Sequence, residues 1–239
     1  MAILSDQVKQ QLQDRFAQQL SGPVQLTLYT RPGSGRLILP SGMGCATCDD
    51  ARQLAEEIQE AAPDLINLRV VDVTAEEADV QEVPTLTLGF PGEAPRISWQ
   101  GLPAGYEFAT VVDAVERVST GAHGLADASL EALADLTEPV DVMVFATPNC
   151  RYCPQAVSLA NRMALASPMV SARTIEANEF PELSQRFGVQ GVPRTVVNES
   201  GAFVGALPEA QFVGTVLQLA GPAEDGPAED GAEPDEALR

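Results

Sequence analysis

The chain has 239 residues, of which 45% are apolar, so it is long enough to form one large or two ordinary domains with hydrophobic cores. Its formal net charge of −20 argues against electrostatic binding to nucleic acid or to an anionic membrane surface. No apolar run approaches the roughly 20 residues of a membrane-spanning helix. The polar N-terminus also lacks the pattern of a signal peptide. We therefore expect a soluble, cytoplasmic protein.

The first half of the chain alternates predicted helices and strands. An amphipathic helix should run from an N-cap at Ser5 to Leu20. A strand at 24–29 follows, and a Gly- and Pro-rich insertion, 31–44, separates it from Cys45-Ala46-Thr47-Cys48. The remaining predicted elements are a helix at 49–62, strands at 65–73, 83–88 and 96–99, and a closing helix at 108–118.

The second half repeats this order. After a short helix at 130–136, a strand at 140–145 leads into Thr147-Pro148-Asn149-Cys150-Arg151-Tyr152-Cys153-Pro154. Helices at 155–167 and 178–187 follow, and a hairpin joins 195–197 to 202–204 through Glu199-Ser200-Gly201. Cys150 lies 105 residues after Cys45, and Val192-Pro193 lies 109 residues after Val83-Pro84.

A repeat of this size indicates a duplicated domain rather than a solenoid. We expect an N-terminal domain at 1–119, a linker at 120–126 and a C-terminal domain at 127–220. The acidic segment 221–239 contains too little apolar surface to fold, and we expect a disordered tail.

All four cysteines fall in C-x-x-C pairs, a spacing that four randomly placed cysteines would rarely show. None is left for a structural disulfide, which is typical of a reducing compartment. Cys150 lies where a predicted strand ends and a helix begins, and Arg151 adds a positive charge. The positive end of a helix should lower the pKa of the Cys150 thiol below the roughly 8.5 of a free thiol. This arrangement predicts a dithiol redox site, because a second thiol three residues on can resolve a mixed disulfide.

The N-terminal pair departs from this pattern. Asp49 and Asp50 follow Cys48, whereas Pro154 follows Cys153. Their negative charges oppose a thiolate, so we expect Cys45 to have the higher thiol pKa and to be the slower nucleophile. The insertion at 31–44 contains Leu37-Ile38-Leu39-Pro40 and could form a hairpin or a partner surface.

The same cysteines could instead bind a metal. Two C-x-x-C pairs can supply four thiolates to zinc, and an iron–sulfur cluster could be shared between two monomers. Against both alternatives, the pairs lie 105 residues apart in repeated units, and each is followed by its own Val-Pro. We expect no metal site and no cofactor.

Together these motifs resemble the thioredoxin fold, and more closely the tandem glutaredoxin-like protein disulfide oxidoreductases. The matching stretches are 101–108, 147–154, 179–181, 188–193 and 205–209. The N-terminal redox domain of the alkyl hydroperoxide reductase flavoprotein is similar and has the same duplication. The resemblance implies an α/β fold of two tandem thioredoxin-like domains, each a mixed β-sheet flanked by α-helices.

The resemblance also implies roles for individual residues. Cys150 would be the exposed nucleophile and Cys153 the shielded resolving thiol, with Cys45 and Cys48 as the corresponding N-terminal pair. Pro84 and Pro193 would be cis-prolines. The backbone of Val83 and of Val192 would then bind an extended substrate strand by β-augmentation. Tyr152 would line the substrate groove.

The function implied is a cytoplasmic thiol–disulfide oxidoreductase that reduces, forms or isomerises protein disulfides. Its partners would be disulfide-containing proteins and a thioredoxin-reductase-like flavoprotein as electron donor, with a relay through Cys45 and Cys48 as a hypothesis. Two alternatives stay open: a dedicated electron donor to a peroxiredoxin, and a non-catalytic metal-binding or interaction module.

Overall fold

The computed structural model describes residues 3–31, 44–75, 80 and 82–221. The N-terminal half contains α1 (Asp6–Gln19), β1 (Val24–Thr30), α2 (Cys48–Ala61), β2 (Ile66–Asp72), β3 (Thr85–Gly89), β4 (Ile97–Gln100), a 3₁₀ turn (Gly105–Glu107) and α3 (Phe108–Thr120). The C-terminal half contains α4 (Asp127–Ala134), β5 (Val140–Ala146), α5 (Cys153–Ala166), β6 (Val170–Glu176), α6 (Pro181–Arg186), β7 (Arg194–Val197), β8 (Gly201–Val204) and α7 (Glu209–Ala220). Most of the predicted insertion and of the predicted acidic tail lies outside the described residues.

All eight strands form one mixed sheet in the order β2-β1-β3-β4-β6-β5-β7-β8. Each half supplies four adjacent strands, and β4 pairs with β6 in parallel at the junction. There Ile97 lies opposite Ala172, and the Ala172 N–H donates to the Arg96 carbonyl oxygen at 2.8 Å. The α/β class with two repeated thioredoxin-like units is confirmed. The sequence did not predict that their sheets join edge to edge.

The two faces of the sheet carry different hydrophobic clusters, as alternation along β5 shows. Val142 and Val144 belong to the main core, with the large buried side chains Phe16, Trp99 and Phe212. The β5 residues between and after them, Met143 and Phe145, point to the other face, because successive side chains of a strand alternate. There α6 and the loops beside it cover a smaller cluster through Phe180, Leu183 and Phe187.

The N-terminus is tied to the core through the buried carboxylate of Glu57. It accepts hydrogen bonds from the Ile3 and Leu4 N–H groups at 3.2 and 2.8 Å and forms an ion pair with Lys9 at 2.9 Å. Burial alone would raise the pKa of Glu57, but these bonds outweigh it and lower that pKa below its ordinary value. The predicted N-cap is confirmed, because the Ser5 side chain accepts from the Val8 N–H at 3.3 Å.

Several element boundaries differ from the predictions, each for a local reason. Helix α6 was predicted from residue 178 but begins at Pro181, which occupies its first turn. The residues before it instead bond to the Glu176 carboxylate, from the Glu179 N–H at 2.6 Å and the Asn178 side chain at 2.8 Å. Helices α2 and α5 begin at Cys48 and Cys153, slightly earlier than predicted. Among the described residues, no helix is both long and apolar enough to cross a bilayer.

Candidate active site

Both C-x-x-C loops lie at the same edge of the sheet. Each follows the carboxyl end of an equivalent strand, β1 or β5, and enters a helix, α2 or α5. Strands β1 and β5 are four positions apart in the sheet, so their axes are about 19 Å apart at the usual 4.8 Å spacing. The two dithiol sites therefore face the same side of the molecule without touching.

The C-terminal site has an accessible and a shielded cysteine. Cys150 and Cys153 form a disulfide with their Cα atoms 5.5 Å apart. Cys153 is fully buried, whereas Cys150 is partly exposed. The backbone N–H of Cys153, at the start of α5, donates to the Cys150 Sγ at 3.1 Å. Once the disulfide is reduced, this N–H and the positive end of α5 can stabilise a thiolate at Cys150.

The N-terminal site has the same geometry in a different electrostatic setting. Cys45 and Cys48 also form a disulfide with a Cα separation of 5.5 Å, and their exposures are 7% and 0%. The first turn of α2 carries the exposed acids Asp49 and Asp50, whereas the first turn of α5 carries none. The positive end of α2 is thus offset by negative charge close to the sulfurs.

The two predicted Val-Pro motifs occupy equivalent places. The Val83–Pro84 and Val192–Pro193 peptide bonds are both cis. Pro84 and Pro193 are buried, while both valines are partly exposed. The Val83 carbonyl oxygen lies 3.7 Å from the Cys45 Sγ, which places this motif beside the N-terminal disulfide.

Two aromatic side chains are exposed at the C-terminal site. Tyr152 lies between the cysteines in sequence and is 64% exposed. Tyr106, from the other half of the chain, is 51% exposed, and its N–H donates to the Pro148 carbonyl oxygen at 2.9 Å. The N-terminal half thus contacts the C-terminal redox loop directly.

Glu107 is a buried acid that the sequence did not single out. It is 3% exposed, and its Oε1 has no hydrogen-bond partner among the described residues. Burial raises the pKa of Glu107 to about 7, against a weaker lowering by its hydrogen bond with Thr110. The 3₁₀ turn that holds Glu107 packs against α5, and Glu107 lines a small cavity with Ala146 at the end of β5. A group that exchanges a proton near neutral pH therefore lies beneath the C-terminal redox loop.

Glu179 is the second residue without a predicted site role. Its Oε1 accepts a hydrogen bond from the Leu102 N–H at 2.7 Å, and its Oε2 accepts one from the Thr47 hydroxyl. Thr47 lies inside the N-terminal C-x-x-C. Each redox loop is therefore held by a contact from the opposite half of the chain. Only a fold can reveal such a contact, because the partners are remote in sequence.

The geometry does not bring the four cysteines together as a metal centre. Each pair is closed as a disulfide, and the two strands that lead into them are about 19 Å apart. One zinc ion with sulfur ligands at roughly 2.3 Å cannot span that distance. Within the described ranges, no group of three or more His, Cys, Asp or Glu side chains is placed to hold a metal ion.

The fold and the paired C-x-x-C sites define the chain as a thioredoxin-like disulfide oxidoreductase. Residues 140–218 match the family described as thioredoxin domain. A protein disulfide oxidoreductase from Aeropyrum pernix superposes with a TM-score of 0.77 and 29% identity, covering 92% of this chain and 95% of that one.

The alkyl hydroperoxide reductases are a second group of relatives. The N-terminal domain of the Enterococcus faecalis alkyl hydroperoxide reductase has the same fold, with a TM-score of 0.76, 20% identity and coverage of 89% of this chain and 99% of that one. The alkyl hydroperoxide reductase flavoprotein of Staphylococcus epidermidis is homologous, with 24% identity over 190 residues, or 80% of this chain. That match spans only 35% of the flavoprotein, so the chain covers about a third of the curated relatives that it matches.

Proposed function

We propose that this protein carries out thiol–disulfide exchange on protein substrates in the cytoplasm, with Cys150 as nucleophile and Cys153 as resolving thiol. The observation that carries the proposal is the Cys153 N–H directed at the partly exposed Cys150 sulfur, at 3.1 Å. The same bond identifies which of the two sulfurs can best hold a negative charge. The use of all four cysteines in redox pairs supports a reducing compartment.

In the reducing direction, the Cys150 thiolate attacks one sulfur of a substrate disulfide. A mixed disulfide forms, and the other substrate sulfur leaves as a thiolate that takes up a proton. The Cys153 thiol then loses its proton and attacks the Cys150 Sγ. This step releases the second substrate thiol and closes the Cys150–Cys153 disulfide. Two electrons pass to the substrate, and the oxidising direction is the reverse.

Glu107 is suited to accept the Cys153 proton in the second step. Cys153 is fully buried and out of reach of bulk water, so its deprotonation needs a nearby base. A carboxyl group with a pKa of about 7 can both accept and return a proton at neutral pH. The packing of its 3₁₀ turn against α5, whose first residue is Cys153, supports this role.

Substrate binding is proposed at the two cis-proline motifs. At the C-terminal site, Val192 and Pro193 would present the backbone to an extended substrate segment, and the exposed ring of Tyr152 would border it. At the N-terminal site Val83 and Pro84 would do the same beside Cys45. The support is the repeated geometry, with one partly exposed valine before each buried proline.

Reducing equivalents would come from a thioredoxin-reductase-like flavoprotein. The homology to the alkyl hydroperoxide reductase flavoprotein supports this kind of donor. A relay through Cys45 and Cys48 would need a carrier between the sites, because disulfide exchange requires sulfur contact and the strands that lead into the sites are about 19 Å apart. The N-terminal pair would otherwise serve a partner of its own.

The second candidate function is electron donation to a peroxiredoxin. It is favoured by the same homology, which extends over 80% of this chain. The two functions share the dithiol chemistry at Cys150 and differ in the substrate. Rates with a peroxiredoxin and with insulin, measured side by side, separate them.

The test uses Cys150→Ser, Cys153→Ser and the double variant Cys45→Ser/Cys48→Ser. Cys150→Ser should abolish insulin reduction, and Cys153→Ser should trap a mixed disulfide with the substrate. A drop of about a thousandfold or more fits loss of a covalent nucleophile. Retained activity in Cys150→Ser would refute the proposed site. Thiols that react only after treatment with a chelator would instead identify a metal-binding module.

A further inference from the structure

Thr47 occupies the N-cap of α2, where a threonine hydroxyl usually accepts a hydrogen bond from the first turn of its own helix. Here the side chain makes no such bond. Its hydroxyl donates instead to the Glu179 Oε2, 132 residues away in the C-terminal half. A local cap has been exchanged for a contact between the halves, at the residue directly before Cys48.

Glu179 is itself fixed at several points. Its Oε1 accepts from the Leu102 N–H at 2.7 Å, and its own N–H donates to the Glu176 Oε2 at 2.6 Å. Gly101 makes this approach possible. It has a φ of +94°, and a Cβ there would lie 2.6 Å from the Glu176 Cβ and 3.1 Å from the Glu179 Oε1. The carboxylate is therefore held against the N-terminal redox loop by both halves of the chain.

We propose that Glu179 is a positioning residue for the N-terminal dithiol. It fixes the Cys45-Ala46-Thr47-Cys48 loop through Thr47 and places a negative charge beside the pair. This charge disfavours the thiolate at Cys45, so the C-terminal half slows the N-terminal site as long as the halves stay docked. The inference rests on the proposed dithiol chemistry at Cys45 and Cys48.

Other charged groups surround the same loop, and the test must separate them from Glu179. Asp49 and Asp50 follow Cys48 on α2, Glu82 precedes the Val83–Pro84 motif, and Glu176 lies behind Glu179. Arg31, just after β1, supplies a positive charge. Asp49 and Asp50 are exposed, so solvent screens them, whereas Glu179 is partly buried and bonded to the loop. Removing Glu179 should thus have an effect of its own.

The test measures the thiol pKa of Cys45 in a Cys150→Ser/Cys153→Ser background, from the pH dependence of iodoacetamide alkylation. Glu179→Gln should lower that pKa by about half a unit or more, since it removes a neighbouring like charge. Glu131→Gln, at an exposed site on α4, is the matched control and should leave it unchanged.

A second pair of variants tests the positioning of the loop. Thr47→Val removes the hydroxyl at nearly constant volume and should raise the hydrogen-exchange rate of the loop amides at 45–48 several-fold. Thr47→Ser keeps the donor and should behave like the parent. The proposal fails if Glu179→Gln has the pH profile of Glu131→Gln, or if Thr47→Val leaves exchange unchanged. Alkylation does not depend on any protein substrate, so this failure is distinct from a failure of the proposed exchange activity.

Discussion

At the scale of single residues, Glu107 has an unusual energetic role. A carboxyl group whose pKa is raised on folding binds protons more tightly in the folded state than in the unfolded one. Its contribution therefore falls as the pH rises from the ordinary value of 4.5 to about 7, and the loss is complete above that range. A shift of this size corresponds to about 3 kcal/mol of the free energy of unfolding. The fold tolerates this cost in the protonation range where the proposed proton transfer operates.

Glu107→Gln tests this cost directly. Glutamine keeps the shape but cannot ionise, so the variant should gain stability over the parent as the pH rises. Between pH 4.5 and 8 the difference in the free energy of unfolding should change by about 3 kcal/mol in favour of the variant. Urea unfolding of the oxidised proteins at several pH values measures it. A difference that does not vary with pH would show that Glu107 titrates normally.

The same substitution should impair catalysis while leaving the nucleophile intact. Alkylation of Cys150 should proceed at the parent rate, whereas release of the mixed disulfide by Cys153 should slow by about a hundredfold, the usual size of a general-base contribution. A Thr110→Val variant is a useful comparison. It removes the hydroxyl that contacts Glu107 without removing the carboxyl group.

Which site residues the sequence could predict depends on how local their signal is. The cysteine pairs were found from a spacing of three, and the prolines from a repeated Val-Pro at a similar distance after each pair. Glu107 and Glu179 carry no such signal. One is unusual only because it is buried, and the other only because it contacts a loop 132 residues away. Both properties arise from tertiary packing.

At the scale of elements, the N-termini of α2 and α5 differ more than their shared geometry suggests. Both begin at the second cysteine of a pair, but α2 has two acids in its first turn and α5 has none. The dipole of α5 is therefore available to a Cys150 thiolate, while that of α2 is partly cancelled.

This contrast predicts a lower thiol pKa for Cys150 than for Cys45, by about one unit or more. Each pair is measured alone, with the other replaced by serines, from alkylation rates against pH. Asp49→Asn/Asp50→Asn should lower the pKa of the Cys45 thiol and narrow the gap. Equal pKa values in the parent sites would contradict the prediction, and a gap that these variants leave intact would rule out the acids as its cause.

Elements with a local signal were predicted well, and those defined by long-range packing were not. Helix α1 with its Ser5 cap and the β7–β8 hairpin followed from periodicity, capping and turn residues. Helix α6 was predicted too long, because the bonds of the preceding residues to Glu176 cannot be read from the sequence. The insertion at 31–44 remains a prediction, since 32–43 lie outside the described residues.

At the scale of the whole molecule, the two repeats share one sheet and one main core. Strands β4 and β6 pair across the junction, and α3 packs against α5. A further bond joins these helices, because the Ser158 hydroxyl donates to the Asp113 carboxylate at 2.9 Å. We propose the division at 1–119, 120–126, 127–220 and 221–239 as a description of the duplication. The shared sheet predicts that the two repeats unfold together.

Two glycines with similar backbone angles test this coupling. Gly105 and Gly121 have φ values of +61° and +68°, so alanine costs about 1 kcal/mol at either position. A Cβ at Gly105 would also lie 2.3 Å from the Pro148 carbonyl oxygen, whereas at Gly121 nothing lies within 4 Å. Gly105→Ala should therefore destabilise the protein by about 2 kcal/mol more than Gly121→Ala, because the junction must shift.

The same variants show whether the repeats unfold as one unit. Trp99 fluorescence reports on β4, and amide exchange in β7 reports on the C-terminal half. In urea, with both disulfides oxidised, the parent and Gly121→Ala should lose both signals at one midpoint. Gly105→Ala should separate the two midpoints, because it weakens the contact between the 3₁₀ turn and the C-terminal redox loop. Separate midpoints already in the parent would mean that β4–β6 pairing does not couple the halves. Each repeat would then be an independent folding unit, and the control of one redox site by the other half would be lost whenever they separate.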